Sequence, residues 1–293
     1  MRILVSGANG FLGKYLIKNL LGQNHKILAI YNNKKKKRYL KKNLFWLKLN
    51  LEKPINNVVK NKIIKFKPEI TYHSSWSKIP DFSHEISLNN LNSSINLMKI
   101  ILKIKTCKKI IVSGSCFENY YDKDKGKSQT NFLKYFVFAK KNLKDYLFNI
   151  AKKNNKIIIW LNFFYLYGRG QKKESLIPSL KKNLLEKKKI IIKNPFYEND
   201  FIFIEDAIDA AVKCIKFCKK NQIVDIGSGK LVPVWKVLKE LEININGKAK
   251  FYKKFLLKYK RKKNLLIKAN IKKTKKIIKD FNPIKLETGI KKI

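Results

Sequence analysis

The sequence predicts an α/β protein: a doubly wound parallel sheet followed by a smaller C-terminal α/β lobe. Three observations predict it. Short apolar runs alternate with amphipathic stretches of helical period through the first half of the chain. A glycine triplet separates the first apolar run from the first amphipathic stretch. The length, 293 residues with 45% hydrophobic, suits one large core with an appended lobe.

Ile3, Leu4 and Val5 read as a buried strand, and Gly7, Gly10 and Gly13 follow at the spacing G-x-x-G-x-x-G. Tyr15, Leu16, Lys18, Asn19, Leu20 and Leu21 then read as an amphipathic helix. Strand, glycine turn and helix together form a phosphate-binding device of the Rossmann type. Gly7 permits a tight turn, Gly10 lets the backbone approach a pyrophosphate, and Gly13 lets helix and strand pack closely. The helix N-terminus offers N–H groups and a positive dipole end to the anion. Further strands are expected at Lys26–Tyr31, Phe45–Leu49, Glu69–His73, Lys109–Gly114 and Lys156–Phe163. Long helices are expected at Ile86–Lys105 and about Phe132–Lys153. After Gly168 the pattern loosens, with helices near Leu176–Leu185, Glu205–Cys218 and Val234–Leu241 between short strands. The expected division is residues 1–165 for the nucleotide-binding domain and 166–293 for the second lobe, partly interleaved with the first.

A formal net charge of +47 points, at face value, to nucleic acid or an acidic membrane. Yet only four of the 67 basic residues are arginine (Arg2, Arg38, Arg169, Arg261), and phosphate and base recognition favours the bidentate guanidinium. The lysines are spread along the chain, densest at Lys34–Arg38 and Lys253–Lys263, so they read as solvated faces. Nucleic acid is expected to bind only non-specifically, through lysine charge. No signal peptide precedes the first strand, and the longest apolar run, Ile157–Tyr167, is too short to span a bilayer, so no membrane insertion is expected. Cys107, Cys116, Cys214 and Cys218 show no metal-ligand spacing with the three histidines. No metal site is expected, and the cysteines fit a reduced, cytoplasmic compartment.

Along its whole length the chain resembles the extended short-chain dehydrogenase/reductases, the NAD(P)-dependent nucleotide-sugar epimerase/dehydratase group. Gly7-Ala8-Asn9-Gly10-Phe11-Leu12-Gly13 is similar to that family's dinucleotide turn, and Asn50-Leu51 stands where the family touches adenine. His73-Ser74-Ser75-Trp76 resembles its His-Leu-Ala-Ala strand end beside the nicotinamide. Asn90 and Asn96 match an Asn-x5-Asn helix. In Ser113-Gly114-Ser115-Cys116-Phe117-Glu118, Ser115 falls at the catalytic serine position. Tyr167-Gly168, Ser175-Leu176-Ile177-Pro178, Asp200–Asp206, Asp225–Gly229 and Pro283…Leu286-Glu287-Thr288-Gly289 follow in the family's order. The serine motif and the Ser-Leu-Ile-Pro stretch are most similar to sugar-nucleotide 4-ketoreductases.

The resemblance implies a Tyr-x-x-x-Lys pair on one helix face, the lysine holding the nicotinamide ribose and the tyrosine moving a proton. Lys140 fits, but four residues earlier stands Phe136, which has no proton to give. Tyr135 is adjacent, about 100° away around a helix, and reaches the site only if the helix is bulged or the register is shifted by one. The candidate catalytic set is therefore Ser115, Lys140, Tyr135 and Phe136. Asn199 stands where the family usually has an arginine that grips the substrate diphosphate, and Asn162 where another arginine is common. Substrate contacts are expected at Phe164, Tyr165, Ser175 and Asn199.

The implied cofactor contacts are Gly7, Asn9, Gly10, Phe11, Leu12, Gly13, Asn32, Lys34, Asn50, Leu51, Ser75 and Lys140. Tyr31-Asn32-Asn33-Lys34-Lys35 carries no carboxylate to hold a ribose 2′-hydroxyl or repel a 2′-phosphate, so NADP is preferred over NAD. Two functions follow. One is an oxidoreductase, epimerase or dehydratase acting on a nucleotide-linked sugar in polysaccharide precursor synthesis, as a homodimer. The other is a catalytically impaired dinucleotide-binding paralogue with a sensing or structural role.

Overall fold

The computed structural model describes residues 1–32, 41–124, 130–258 and 265–293. The chain divides into two compact units, one of Met1–Asn162 with Ile208–Val224, the other of Phe163–Ala207 with Asp225–Ile293.

The first unit opens with strand β1 (Arg2–Ser6), buried from Ile3 onward. Helix α1 (Phe11–Gly22) buries Gly13, Leu16, Ile17 and Leu20, one stripe of helical period. Then come β2 (Lys26–Tyr31), β3 (Leu44–Lys48), α2 (Asn57–Phe66), β4 (Ile70–His73) and α3 (His84–Lys103). They are followed by β5 (Lys109–Ser115), α4 (Cys116–Asp124), α5 (Lys134–Ala151) and β6 (Ile157–Phe163). Later elements are β7 (Tyr165–Tyr167), α6 (Leu176–Leu185), β8 (Glu198–Asn199), β9 (Phe201–Phe203), α7 (Ile204–Phe217) and β10 (Gln222–Ile226). The chain ends with β11 (Val232–Pro233), α8 (Val234–Asn246), α9 (Phe251–Lys258), α10 (Ile271–Ile277) and α11 (Leu286–Lys291).

Seven strands form one sheet in the order β10-β6-β5-β4-β1-β2-β3. The pairings β3–β2, β2–β1, β1–β4 and β4–β5 are parallel. Strand order reverses between β1 and β4, and in such sheets ligands bind outside the carboxyl ends of the strands at that switch. A continuous core joins Leu4, Ile30 and Val112 of the sheet to Leu97 and Ile101 of α3, Leu143 and Leu147 of α5, and Trp160. Cys214 and Cys218 are buried apolar positions. The expected strands match the observed ones within a residue or two. Helices α2, α4, α9, α10 and α11 carry too weak a pattern to be read from the sequence; α2 buries only Ile63 and is capped by Asn56 accepting the Val59 N–H at 2.9 Å. Helix α8 runs past Leu241 to Asn246, where Gly247 takes up a left-handed φ of 71°.

In the second unit β7 pairs parallel with β9, and β8 antiparallel with β11. The buried Asp200 ties its loops together. Its Oδ1 accepts from the Ser228 N–H and hydroxyl, both at 2.6 Å, and its Oδ2 from Gly229 and Ala269 N–H, both at 2.9 Å. Burial pushes this carboxyl upward in pKa, and the four donors oppose the shift.

Candidate functional site

At the carboxyl end of β1 the chain turns on Gly7, whose φ is 72°. A Cβ there would lie 2.8 Å from the Ser74 carbonyl carbon and the Ser75 nitrogen, so only glycine lets the turn pass beneath the end of β4. The Gly10 N–H donates to the Gly7 carbonyl at 2.9 Å. Gly13 packs so closely that a Cβ would overlap the same carbonyl. Helix α1 then starts with no side-chain cap and no acidic residue in its first turn, leaving its N–H groups and positive dipole end for an anion.

Beside this turn lies a cavity of about 220 Å³, floored by Gly7, Asn9 and Gly10 and walled by the ends of β2, β3 and β4. Asn32, Asn50, Leu51 and Ser75 line it, as the sequence suggests for a nucleotide. Phe11 and Leu12 sit in the first turn of α1 and are not part of the lining, and the Phe11 ring packs on Tyr15 at 5.8 Å. Lys34 lies outside the described residues.

Below the cavity, His73 at the end of β4 is locked between two hydroxyls, Nδ1 to Ser6 Oγ at 2.7 Å and Nε2 to Ser94 Oγ at 2.9 Å. Burial, with repulsion from Lys140, pulls its pKa down to about 3, so the ring is a neutral structural link. Asn90 on α3 accepts the Ser77 N–H at 2.6 Å and donates to the Ile86 carbonyl at 2.8 Å, fixing the loop after β4.

The adjoining part of the unit is built on α5. Lys140 is buried, donates to the Ser113 carbonyl at 2.8 Å, and sits under the Trp76 ring, 3.7 Å from its centroid. Desolvation pulls its pKa down to about 7, against the raising pull of Glu118. Phe136 is buried on the same helix face, its ring 5.9 Å from the Lys140 Nζ. It packs edge-on against Trp76 at 5.6 Å, Phe82 at 5.0 Å and Phe117 at 6.2 Å. Tyr135 is 43% exposed and rests on His84, ring centroids 5.0 Å apart. The helix thus brings Phe136, not Tyr135, to Lys140. Ser115 ends β5 and its hydroxyl accepts the Phe117 N–H at 3.2 Å.

Two participants escaped sequence reasoning. Glu118 is buried, takes the Ser115 N–H at 3.2 Å and the Trp160 indole N–H at 3.0 Å on Oε1, and pairs with Lys144 at 2.9 Å through Oε2. Trp76 was visible only as an odd residue in a strand-end motif; its position over Lys140 is set by tertiary packing. Gly114 lets β5 pass Trp160, whose indole a Cβ would overlap. In the second unit Phe164 and Asn199 are buried, Tyr165 packs on Phe201 at 5.7 Å, and Ser175 takes the N-cap position of α6 without capping it through its side chain. A separate cavity of about 550 Å³ there is lined by Phe201, Ser228 and Lys236 among others, and not by these four residues. Among the described residues no helix is long and apolar enough to cross a membrane.

Comparison with known proteins agrees with this arrangement. The chain is 26% identical over 271 residues to the dTDP-4-dehydro-6-deoxyglucose reductase of Escherichia coli, covering 84% of this chain and 83% of that one. It is 26% identical over 190 residues to the dTDP-6-deoxy-L-talose 4-dehydrogenase (NAD(+)) of Aggregatibacter actinomycetemcomitans, covering 62% and 67%. Its fold matches the crystal structure of a dTDP-glucose 4,6-dehydratase from Bacillus anthracis in complex with NAD, with a TM-score of 0.79, 17% identity, and 100% and 94% coverage. The glycine turn, the cavity at the strand-order switch and the Lys140 helix all lie within residues 3–227, which match the family model described as the NAD dependent epimerase/dehydratase family, and the chain belongs to that family.

Proposed function

We propose that this protein is an NAD(P)-dependent oxidoreductase of the epimerase, dehydratase or reductase kind, acting on a nucleotide-linked sugar in polysaccharide precursor synthesis. The observation that carries the proposal is the uncapped glycine turn with a cavity beside it at the strand-order switch, one of whose lining residues, Trp76, rests on Lys140. The close backbone packing that only glycine allows at Gly7 and Gly13, and the uncapped N–H donors of α1, fit a dinucleotide pyrophosphate. The named relatives act on dTDP-linked 6-deoxy sugars, which supports a nucleotide-linked hexose as substrate.

Gly7, Asn9, Gly10 and Gly13 would hold the pyrophosphate, Asn32, Asn50 and Leu51 the adenosine, and Ser75 and Lys140 the nicotinamide ribose. Phe11, Leu12 and Lys34 complete the proposed cofactor contacts. When bound, the nicotinamide supplies or accepts the hydride. Ser115 offers the hydroxyl that orients a sugar oxygen and passes a proton. Asn32 at the end of β2 brings no negative charge to a 2′-phosphate, which supports NADP over NAD. Phe164, Tyr165, Ser175 and Asn199 are the proposed substrate contacts. No disulfide joins the four cysteines, which supports a reducing, cytoplasmic setting, and a homodimer is the proposed assembly.

Phe136 favours a second reading, a dinucleotide-binding protein with impaired chemistry, because the position four residues before Lys140 holds a buried ring without a hydroxyl. A positioned acid–base group is worth about a hundred- to ten-thousand-fold in rate. On a panel of nucleotide-linked 4-ketosugars with NADPH, Phe136→Tyr is expected to raise turnover at least about tenfold over a slow wild type, while Tyr135→Phe changes little. Loss of turnover in Tyr135→Phe would show a re-phased helix. Absence of turnover in every protein would favour the binding role.

A further inference from the structure

The cavity beside the glycine turn ends at Trp76 and Ser77. Lys140 is not part of its lining, because the Trp76 ring lies between them. Around the Lys140 ammonium the structure places the face of Trp76 at 3.7 Å, the rings of Phe136 and Trp160 each at 5.9 Å, and the Ser113 carbonyl at 2.8 Å. The cation is therefore covered by rings on the side from which a ribose hydroxyl would reach it. The cavity's 220 Å³ is also small: it falls below the roughly 300–1,000 Å³ of pockets that enclose a single drug-sized ligand.

We infer that Trp76 divides the cofactor site: the resting protein accepts the adenosine diphosphate portion of a dinucleotide, and the nicotinamide end reaches Lys140 only when the Trp76 ring leaves it. This rests on the dinucleotide reading above and deepens it. Two further observations bear on how the ring is held. Two residues of one face of α5 hold it, the ammonium against its face and the Phe136 ring at 5.6 Å, so the aromatic residue that replaces a tyrosine also braces the lid. The backbone beneath it is fixed. Asn90 holds Ser77 through the N–H at 2.6 Å and the carbonyl at 3.3 Å, and the Ser77 hydroxyl donates to Glu52 at 3.1 Å. Opening is thus a rotation of one half-buried side chain and needs no loop movement. A ligand that requires a minor conformer loses apparent affinity by the fraction of molecules in that conformer. A ligand confined to the adenosine half loses nothing.

Each reduced dinucleotide is titrated calorimetrically against its own adenine half, NADH against ADP and NADPH against 2′-phospho-ADP, at one moderate salt concentration. In the wild type, the dinucleotide is expected to bind within about threefold of its half, and Trp76→Ala to tighten the dinucleotide about tenfold or more while leaving the half unchanged. Binding of the half by the variant serves as its folding check. Trp76→Phe, which keeps a smaller ring, is expected to fall between the two. A wild type that binds the dinucleotide at least about tenfold more tightly than its half, with no gain in either variant, overturns the inference and leaves the dinucleotide reading standing. Failure of folded wild type and variants to bind any of the four ligands overturns both. If Trp76→Ala does not fold, the wild-type comparison decides alone.

Discussion

Lys140 carries an ammonium into an enclosure of rings and one carbonyl, and burial holds its pKa at about 7, against about 10.4 for an exposed lysine. The consequence for stability has a definite sign. Below pH 7 both folded and unfolded chains carry the proton, and the cost of burying the charge is present in full. Between about pH 7 and 10.4 the unfolded chain binds more protons than the folded one, so the native state gains stability as pH rises. Lys140→Met keeps the length of the side chain and removes the charge. Its thermal midpoint relative to wild type is expected to be most favourable near pH 6 and to decline steadily toward pH 9. A difference flat across that range would mean that the folded lysine titrates like an exposed one. Glu118 is the acid acting on Lys140, and His73 the other ionisable ring beside it, neutral throughout this window with its pKa at about 3. The wild-type-minus-variant comparison cancels the remaining lysines, which both proteins share.

Helix α4 shows how one side chain can set an element that sequence pattern leaves undefined. Cys116-Phe117-Glu118-Asn119-Tyr120-Tyr121-Asp122 has neither a clean apolar stripe nor a start signal. The structure supplies what the pattern lacks: Glu118 reaches back to the Ser115 N–H, across to the Trp160 indole and over to Lys144 of α5. Glu118→Ala leaves a buried donor on Trp160 without its acceptor and removes a partly buried ion pair, a loss expected to cost about 3 kcal/mol in denaturant unfolding. Glu118→Gln retains an acceptor for the indole and should recover part of it. A cost under about 0.5 kcal/mol for the alanine variant, the range of ordinary surface substitutions, would deny the carboxylate this organising role.

The elements that were legible are those whose period comes from burial on one face or both. β1, β2 and β5 are short apolar runs because the sheet covers them, and α3 and α5 show their core stripes. The glycine turn was legible because steric exclusion leaves no other residue at Gly7 and Gly13. Phe136 and Lys140 were singled out by the resemblance to a Tyr-x-x-x-Lys pair, and their i, i+4 spacing sets them on one helix face. Trp76 was not, since a single ring in a loop carries no period, and its seat over Lys140 depends on Phe136, Phe82 and Asn90 from two helices and a loop. α2 was missed because a helix burying one side chain has almost no apolar stripe to read.

For the molecule as a whole, 67 basic residues face 20 acidic ones, so the folded state holds a net charge of +47 against its own repulsion. Surface pairs such as Lys182–Glu186 and Lys213–Asp209 contribute little each and cannot neutralise such an excess. The excess acts through space, and salt shortens its reach: the Debye length falls from about 30 Å at 0.01 M to about 10 Å at 0.1 M. The thermal midpoint is therefore expected to rise across that interval even though no specific ion site is invoked. The same field attracts polyanions. Lysine ammoniums act as point charges and carry no bidentate geometry for reading base edges, so duplex DNA should bind without sequence preference. Binding that rests on counterion release loses about a thousandfold or more in affinity between 50 and 200 mM salt when several phosphates are neutralised. Both effects belong to one cause, and they should appear together over the same salt range, the midpoint rising as DNA affinity collapses. Tight binding to a defined sequence that survives 200 mM salt would mean that some lysines form a selected surface, and would separate the nucleic-acid question from the charge of the whole chain.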